Sequence, residues 1–427
     1  MPCRRISLMV GVPLMLACTR VGAQSSDARV SYELGAMAVG AVTRAAPGVF
    51  GVTVTEGYLT QPALMLNARH RSLTLTGTVN FEGYTLRRGE LNAGIYGEGY
   101  VDRRHPHTLV HEAMISSVSP AWRGVRASLA VGKGFTPYGT DDPMMRPFVK
   151  YPVNHHHAQI IERVQVVGAL MMGNARRGVA LEHGFFNGDE PVTPFKGPQW
   201  RRVGDSRTTR LTLLPLRGVE VQASRAFVRS PGIIQGGAFD HIQSSMSLRV
   251  DRSAGEPMTG HAMSGHAMSG DRRYLLAEVA RTDEGFGTQR VFRFNSMLVE
   301  GQVERRGWSV GARLERTDRP ENERLLDPFR TSSGHIDFQI IGITRWALGT
   351  VQMSAPSWQV PGFGRVRATP FLEVTHARPS ALRTPAVFVP RDFYGASGLW
   401  SVTAGARVHV GMMRRRMGRY GVLALPP

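Results

Sequence analysis

The chain has 427 residues and a formal net charge of +19, from 52 Lys and Arg against 33 Asp and Glu. No run of about 18 apolar residues follows the N-terminus, which excludes transmembrane helices, and with only Cys3 and Cys18 present a disulfide-stapled fold is excluded as well. Lys133, Lys150 and Lys196 are the only lysines, so the excess is arginine: set against anionic headgroups, lining a cavity, or reflecting base composition alone.

The first residues read as an export signal over 1–23. Arg4 and Arg5 supply the charged region, Leu8 to Ala17 the apolar one, and Val21-Gly22-Ala23 the small-residue cleavage site before Gln24. A lipid-modified Cys18 after Met15-Leu16-Ala17 is the alternative. Cleavage at Ala23 removes both cysteines, and export argues against a nucleic-acid partner. Residues 24–62 form a segment without an assignable structure: Ser31 to Ala46 is rich in Ala and Gly with weak periodicity, and Val49 to Val54 reads as a short strand.

From residue 63 onward a pattern repeats. Ala63 to His70 reads as a strand, and Ser72 to Tyr84 shows the pattern most plainly. Leu73, Leu75, Val79 and Phe81 fall on one parity and Thr74, Thr76, Thr78, Asn80 and Glu82 on the other, which is the alternation of a strand with one apolar and one wet face. Asn92 to Val101 follows, then Trp122 to Gly132, Gly178 to Phe186, Gly218 to Ala226, Ser244 to Asp251 and Arg273 to Ala280. Trp308 to Glu315 and Trp400 to Val410 close the series. Turn-forming clusters separate them, among them Asp189-Glu190-Pro191, Ser230-Pro231-Gly232, Asp318-Arg319-Pro320 and Pro361-Gly362.

Two solvents accept such strands: a second sheet in a soluble sandwich, or lipid around a barrel. The export signal, the cysteine-free mature chain, the many repeated staves and the aromatics near strand ends (Tyr96, Tyr100, Trp122, Trp308, Trp400, Tyr420) favour the barrel. The expectation is therefore an all-β, antiparallel transmembrane β-barrel of about 16 strands, within roughly 14 to 18, over 63–427 in an outer membrane. It carries a long inserted segment at 135–157 and a Met/His-rich loop at 252–271. The ending Gly421-Val422-Leu423-Ala424-Leu425-Pro426-Pro427 lacks the terminal aromatic usual for such barrels.

The run Gly132-Lys133-Gly134-Phe135-Thr136-Pro137-Tyr138-Gly139 after an amphipathic strand resembles the strand-end segment of porin-like outer-membrane proteins of the phosphate-selective porin type. The resemblance implies a passive pore with a basic constriction. It does not carry a substrate over, because Lys133 and Lys150 are the only lysines nearby and a phosphate pore needs a lysine ladder.

Three places carry candidate chemistry. His105, His107 and His111 share a parity, so on a strand they form an imidazole row suited to a divalent cation, although Pro106 points to a strand entry. Residues Phe135 to His157 lack strand periodicity and are too long for an ordinary hairpin loop. They hold Asp141, Asp142, Arg146 and Lys150, candidate constriction residues, and the run His155, His156 and His157, a second candidate metal group. The third is a tandem repeat in a Gly/Ser frame that places Met258, His261, Met263, His266 and Met268 at regular spacing. Thioether and imidazole together suit copper, and the tract is similar to those of outer-membrane copper-resistance proteins. Metal-free lumen-wall histidine and a ligand-free loop stand as the alternatives.

No nucleophile elbow, zinc-protease helix or phosphate loop occurs. The functional expectation is thus a porin-like channel for small solutes, leaning to anions, as a monomer or homotrimer in outer-membrane lipid and needing no cofactor. A copper- or zinc-handling barrel and a barrel hydrolase are the alternatives.

Overall fold

The structure is a computed structural model that describes residues 28–46, 52–85, 108–149, 151–174, 176–189, 191, 195–229, 239–253, 271–322, 340–383, 389–411 and 416–424. The strands are β1 (Ala28–Ala46), β2 (Val52–His70), β3 (Leu73–Asn80), β4 (Val110–Val118), β5 (Val125–Gly134), β6 (Arg163–Asn174), β7 (Arg177–Phe186), β8 (Ser206–Leu216) and β9 (Val219–Val228). They continue as β10 (Asp240–Ser253), β11 (Arg272–Phe286), β12 (Gln289–Arg305), β13 (Trp308–Asn322), β14 (Ile340–Ser354), the two-residue β15 (Trp358–Gln359), β16 (Arg367–Arg383) and β17 (Leu399–Gly411). Each long strand pairs antiparallel with the next, β14 directly with β16, and β17 returns to β1 from Glu33↔Gly411 to Arg44↔Trp400. The sheet is closed into a barrel of sixteen long strands, so no row of backbone donors and acceptors is left at an edge for lipid to meet.

Alternation decides which face is which. Leu75, Leu129, Leu314 and Val351 are more than half exposed on the outside, while Thr76, Thr78, Asn80, Glu278, Glu300 and Glu373 are buried inside. An outside this apolar is the surface of a barrel that sits in an outer membrane, where lipid tails replace the opposing sheet. Leu73 and Leu75 face lipid while Thr76, Thr78, Asn80 and Glu82 face inward, as the alternation requires.

The two rims differ. Ala28 and Gly411 lie on the rim where short turns join β2 to β3, β4 to β5, β6 to β7, β8 to β9 and β12 to β13. The last of these is the pair Arg306-Gly307, with φ of 51° and 82°, the left-handed geometry that lets a two-residue turn follow strand twist. The long excursions after β3, β5 and β7 are on the other rim. By the majority of connections the short-turn rim is the periplasmic side, although β10 and β11 are joined there by 254–270 and the two-residue turn Gly287-Thr288 lies on the other rim.

Several expectations need correcting. The segment 24–62 contributes all of β1 and half of β2, so the barrel begins at Ala28 and not at residue 63, and Val52–Val54, the described part of the strand expected over 49–54, joins Ala63–His70 in one strand, bulged where Gln61 has φ 51°. Beyond Glu33 the inward row of β1 holds Met37 and Val39 while its outward row holds Leu34, Ala36 and Ala38, so over 34–39 both faces are apolar and no alternation shows. Asp318-Arg319-Pro320 is strand, paired with Ile343, Thr344 and Arg345, and not a turn. Tyr420 is no girdle residue but is buried inside the barrel, whereas Trp122 and Trp308 do lie exposed at the short-turn rim. The export signal, Tyr96 and Tyr100 lie outside the described residues.

Candidate functional site

The inserted segment runs from Phe135 to Glu162, five residues beyond the expected end at 157, and lies in the lumen. Its partners prove the placement. Thr208 on β8 donates to the Pro137 carbonyl at 3.0 Å and the Gly139 amide donates to Ser224 Oγ on β9 at 3.0 Å. The Val153 amide donates to Glu315 on β13 at 2.7 Å and the Val149 amide to Glu373 on β16 at 2.8 Å, while Arg407 on β17 donates to the Pro147 carbonyl. One segment reaches walls this far apart around the barrel only by crossing its interior.

Glu278 of β11 is the anchor of both limbs. Its carboxylate accepts from Thr140 Oγ1 at 2.6 Å, from Arg146 Nη2 at 3.3 Å and from Asn154 Nδ2 at 2.7 Å. Arg146 also donates to Thr140 Oγ1 and to the Asp141 carbonyl, and lies 3.9 Å from Glu300. Burial opposes the charge on Arg146, but Glu278 and Glu300 outweigh it and hold the guanidinium above the ordinary arginine pKa. Apolar contacts complete the docking. Val149 packs with Met37, Val39 and Phe371, and Phe135, Met144, Met145 and Tyr151 pack with Ala63, Met65 and Met417.

A second piece of chain enters the lumen after β17. Arg416 bridges the inserted segment and the wall, donating to Asp141 at 2.7 Å and to Glu220 of β9 at 2.7 Å. Arg419 donates to the same Glu220 at 2.9 Å, and Arg249 of β10 stands 3.2 Å from Asp141. Burial works against Arg416, and Asp141 with Glu220 reverse it and raise its pKa. The Tyr420 hydroxyl donates to Glu112 at 2.7 Å and accepts from the Phe135 amide at 3.0 Å. That ring fits because Gly134 is bare: a Cβ there would come within 2.2 Å of the Tyr420 oxygen.

The expected constriction residues thus have separate jobs. Asp141 is the ion-pair bridge, Arg146 the internal clamp, and Asp142 caps the short turn Pro143–Met145 by accepting from the Met144 amide. Lys150 lies outside the described residues. Glu220, Glu278, Glu300, Glu315, Glu373, Arg416 and Arg419 escaped the reading by motif. For the five glutamates the signal that could have found them is a charge on the inward parity of a stave, where an unpaired ion is costly, whereas Arg416 and Arg419 lie beyond β17 and carry no such signal.

The imidazoles do not meet in one layer. His111 Nδ1 contacts Glu162 at 2.5 Å with its ring edge on Phe135, His157 stacks on Phe294 and bonds Thr282 Oγ1 at 3.0 Å, and His155 sits edge-on to Tyr151. Among the described residues no group of three or more His, Cys, Asp or Glu is placed to hold a metal ion. His105, His107, Met258, His261, Met263, His266 and Met268 fall outside the described residues, and so does the His156 side chain.

No family model matches the sequence, and no curated protein matches it. Among solved structures, a loop-deletion form of OmpT, an outer membrane protein of Vibrio cholerae, is 12% identical and covers 90% of this chain and 99% of that one, with a TM-score of 0.46. An anion-selective porin from Comamonas acidovorans is 8% identical, covers 90% and 100%, and scores 0.46. The outer membrane channel DcaP of Acinetobacter baumannii is 8% identical, covers 90% and 97%, and scores 0.40. At such scores the fold assignment rests on the closed sheet itself.

Proposed function

We propose that the chain is a porin-like outer-membrane channel through which small solutes diffuse passively, with a lean to anions. The observation that carries it is a closed barrel with a largely polar inner face and residues 135–162 held across the lumen, the place of a constriction. Around that segment Arg146, Arg249, Arg313, Arg416 and Arg419 meet Asp141, Glu220, Glu278, Glu300 and Glu315, and Asp142, Glu112, Glu162 and Glu373 add carboxylates, so no cationic excess lies there. The lean must therefore come from the short-turn rim, where Arg69, Arg126 and Arg367 share the inward parity of Met65, Ala130 and Thr369. The mature chain in planar bilayers should give discrete conductance steps and, in a salt gradient, a reversal potential of anionic sign. The triple variant Arg69→Gln, Arg126→Gln, Arg367→Gln should bring that potential toward zero. Absence of steps rejects the channel, and a cationic sign rejects the lean. A homotrimer goes with this reading and is checked by mass in detergent. The reading assigns no catalytic residue, and hydrolysis of lipid or peptide that a single Ser or His change abolishes would displace it.

Copper or zinc handling is the second reading, and position favours it. The strands that flank 254–270 end at Ser253 and Arg272 on the short-turn rim, the periplasmic side by loop length. Metal analysis of the purified chain against a variant lacking 258–268 and carrying His111→Ala decides it, with equal metal content rejecting the reading.

A further inference from the structure

On the outer face of β7 to β11 the register puts like with like. Leu181, Leu211, Ala223, Met246 and Val279 stand opposite one another from strand to strand as an unbroken apolar row. Two residues nearer the loop rim, the corresponding row reads His183, Thr209, Arg225, Ser244 and Arg281, and the next reads Phe185, Arg207, Phe227, Ile242 and Asp283. The face that meets hydrocarbon thus turns cationic within one pleat. By loop length this is the boundary of the outward leaflet.

At that boundary lies a groove of about 310 Å³ lined by His183, Arg207, Thr209, Arg225, Phe227 and Ile242. Its polar groups are set for a ligand. His183 Nδ1 is tied to Thr209 Oγ1 at 2.8 Å, and the Arg207 guanidinium lies over the Phe227 ring, 5.7 Å from its centroid. Arg281 and Arg293 nearby are neutralised by Asp283 at 2.7 and 2.6 Å, but among the described residues no carboxylate pairs with Arg207 or Arg225. Two exposed guanidiniums beside a membrane, with apolar wall on one side, complement an anion that is itself amphiphilic.

We infer that this groove binds the phosphate of a phosphorylated lipid of the outward leaflet. Arg207 and Arg225 take the phosphate oxygens in the forked geometry guanidinium favours, and Thr209 and His183 complete the polar floor. An acyl chain lies against the apolar row of Leu181, Leu211, Ala223 and Met246 beneath it. A soluble anion lacks that last contact and does not stay.

The test uses the full mature chain, folded in detergent and stripped of lipid, with lipid A as probe against its dephosphorylated form and inorganic phosphate. Binding is read by native mass spectrometry and by retained phosphorus. The expected result is retention of lipid A that falls about tenfold or more in Arg207→Gln with Arg225→Gln and is unchanged in Arg378→Gln on the outer face of β16. Dephosphorylated lipid should bind the wild type as weakly as lipid A binds the double variant. Equal binding of lipid A to wild type and double variant overturns the site. Arginine-dependent retention of inorganic phosphate alone overturns the lipid assignment. A heat-shift gel showing the compact barrel for every variant separates lost binding from lost fold.

Discussion

Replacing Glu278 with glutamine should let the inserted segment leave its dock while the barrel stays closed. The change is close to isosteric, so it removes charge and leaves volume. In the native arrangement one buried carboxylate receives Thr140, Arg146 and Asn154. Hydrogen bonds to a charged group contribute about 1.5–3 kcal/mol each, and breaking a buried ion pair by removing one partner costs about 3–5 kcal/mol. Glutamine still offers one acceptor, and Arg146 keeps Glu300 at 3.9 Å, so a loss of about 3 kcal/mol is the reasonable middle. At 1.4 kcal/mol per decade that raises the undocked population roughly a hundredfold. Single-channel recordings should then show frequent excursions to a larger conductance level that are rare in the wild type. Hydrogen exchange of residues 135–162 should rise in step while strand protection does not. Identical conductance and identical exchange in the variant would refute the idea that Glu278 holds the segment.

Other perturbations follow from the same geometry. Arg416→Gln and Asp141→Asn should be strongly non-additive, since they face each other: a double-mutant cycle on segment protection should give a coupling of about 1–3 kcal/mol, and a coupling near zero contradicts the bridge. Gly134→Ala should expel Tyr420, so that trypsin cuts after Arg416 and Arg419 at a rate the wild type does not show. Leu314→Arg puts a charge on a lipid-facing residue that is 67% exposed and near the middle of β13, and should destabilise the barrel by about 2–4 kcal/mol in urea titrations from vesicles. A midpoint shift no larger than that of Leu314→Ala would mean this face does not meet hydrocarbon.

The staves were legible because lipid outside and polar groups inside impose a two-residue period that survives in a single sequence. The alternation expected over Trp122 to Gly132 holds from Val125 onward, that over Trp308 to Glu315 holds on both faces, and Gly178 to Phe186 is strand throughout. The period vanishes where the lumen is not wet. Met37 and Val39 of β1 and Ala63 and Met65 of β2 face inward against the inserted segment, so around them both faces read as apolar and the barrel's start was missed. That 135–157 is an inserted segment was legible from its length and its missing periodicity, and its place in the lumen from the porin-like reading. What holds it there was not, because Glu278, Glu315 and Glu373 lie on three different strands more than a hundred residues beyond the segment. Asp318-Arg319-Pro320 misled for a related reason: in β13 Asp318 is a strand residue that accepts from Arg345 on the neighbouring strand at 2.6 Å.

The bonds of residues 135–162 to β8, β9, β11, β13, β16 and β17 also have a mechanical side. An empty cylinder of sixteen strands has no stiffness across its diameter beyond the bending resistance of its own wall, and lateral pressure from the bilayer flattens it. Here a cross-brace under the wall fixes the distance between opposite strands. The outline of this barrel in the membrane is therefore set from within, and loosening the brace softens the whole cylinder.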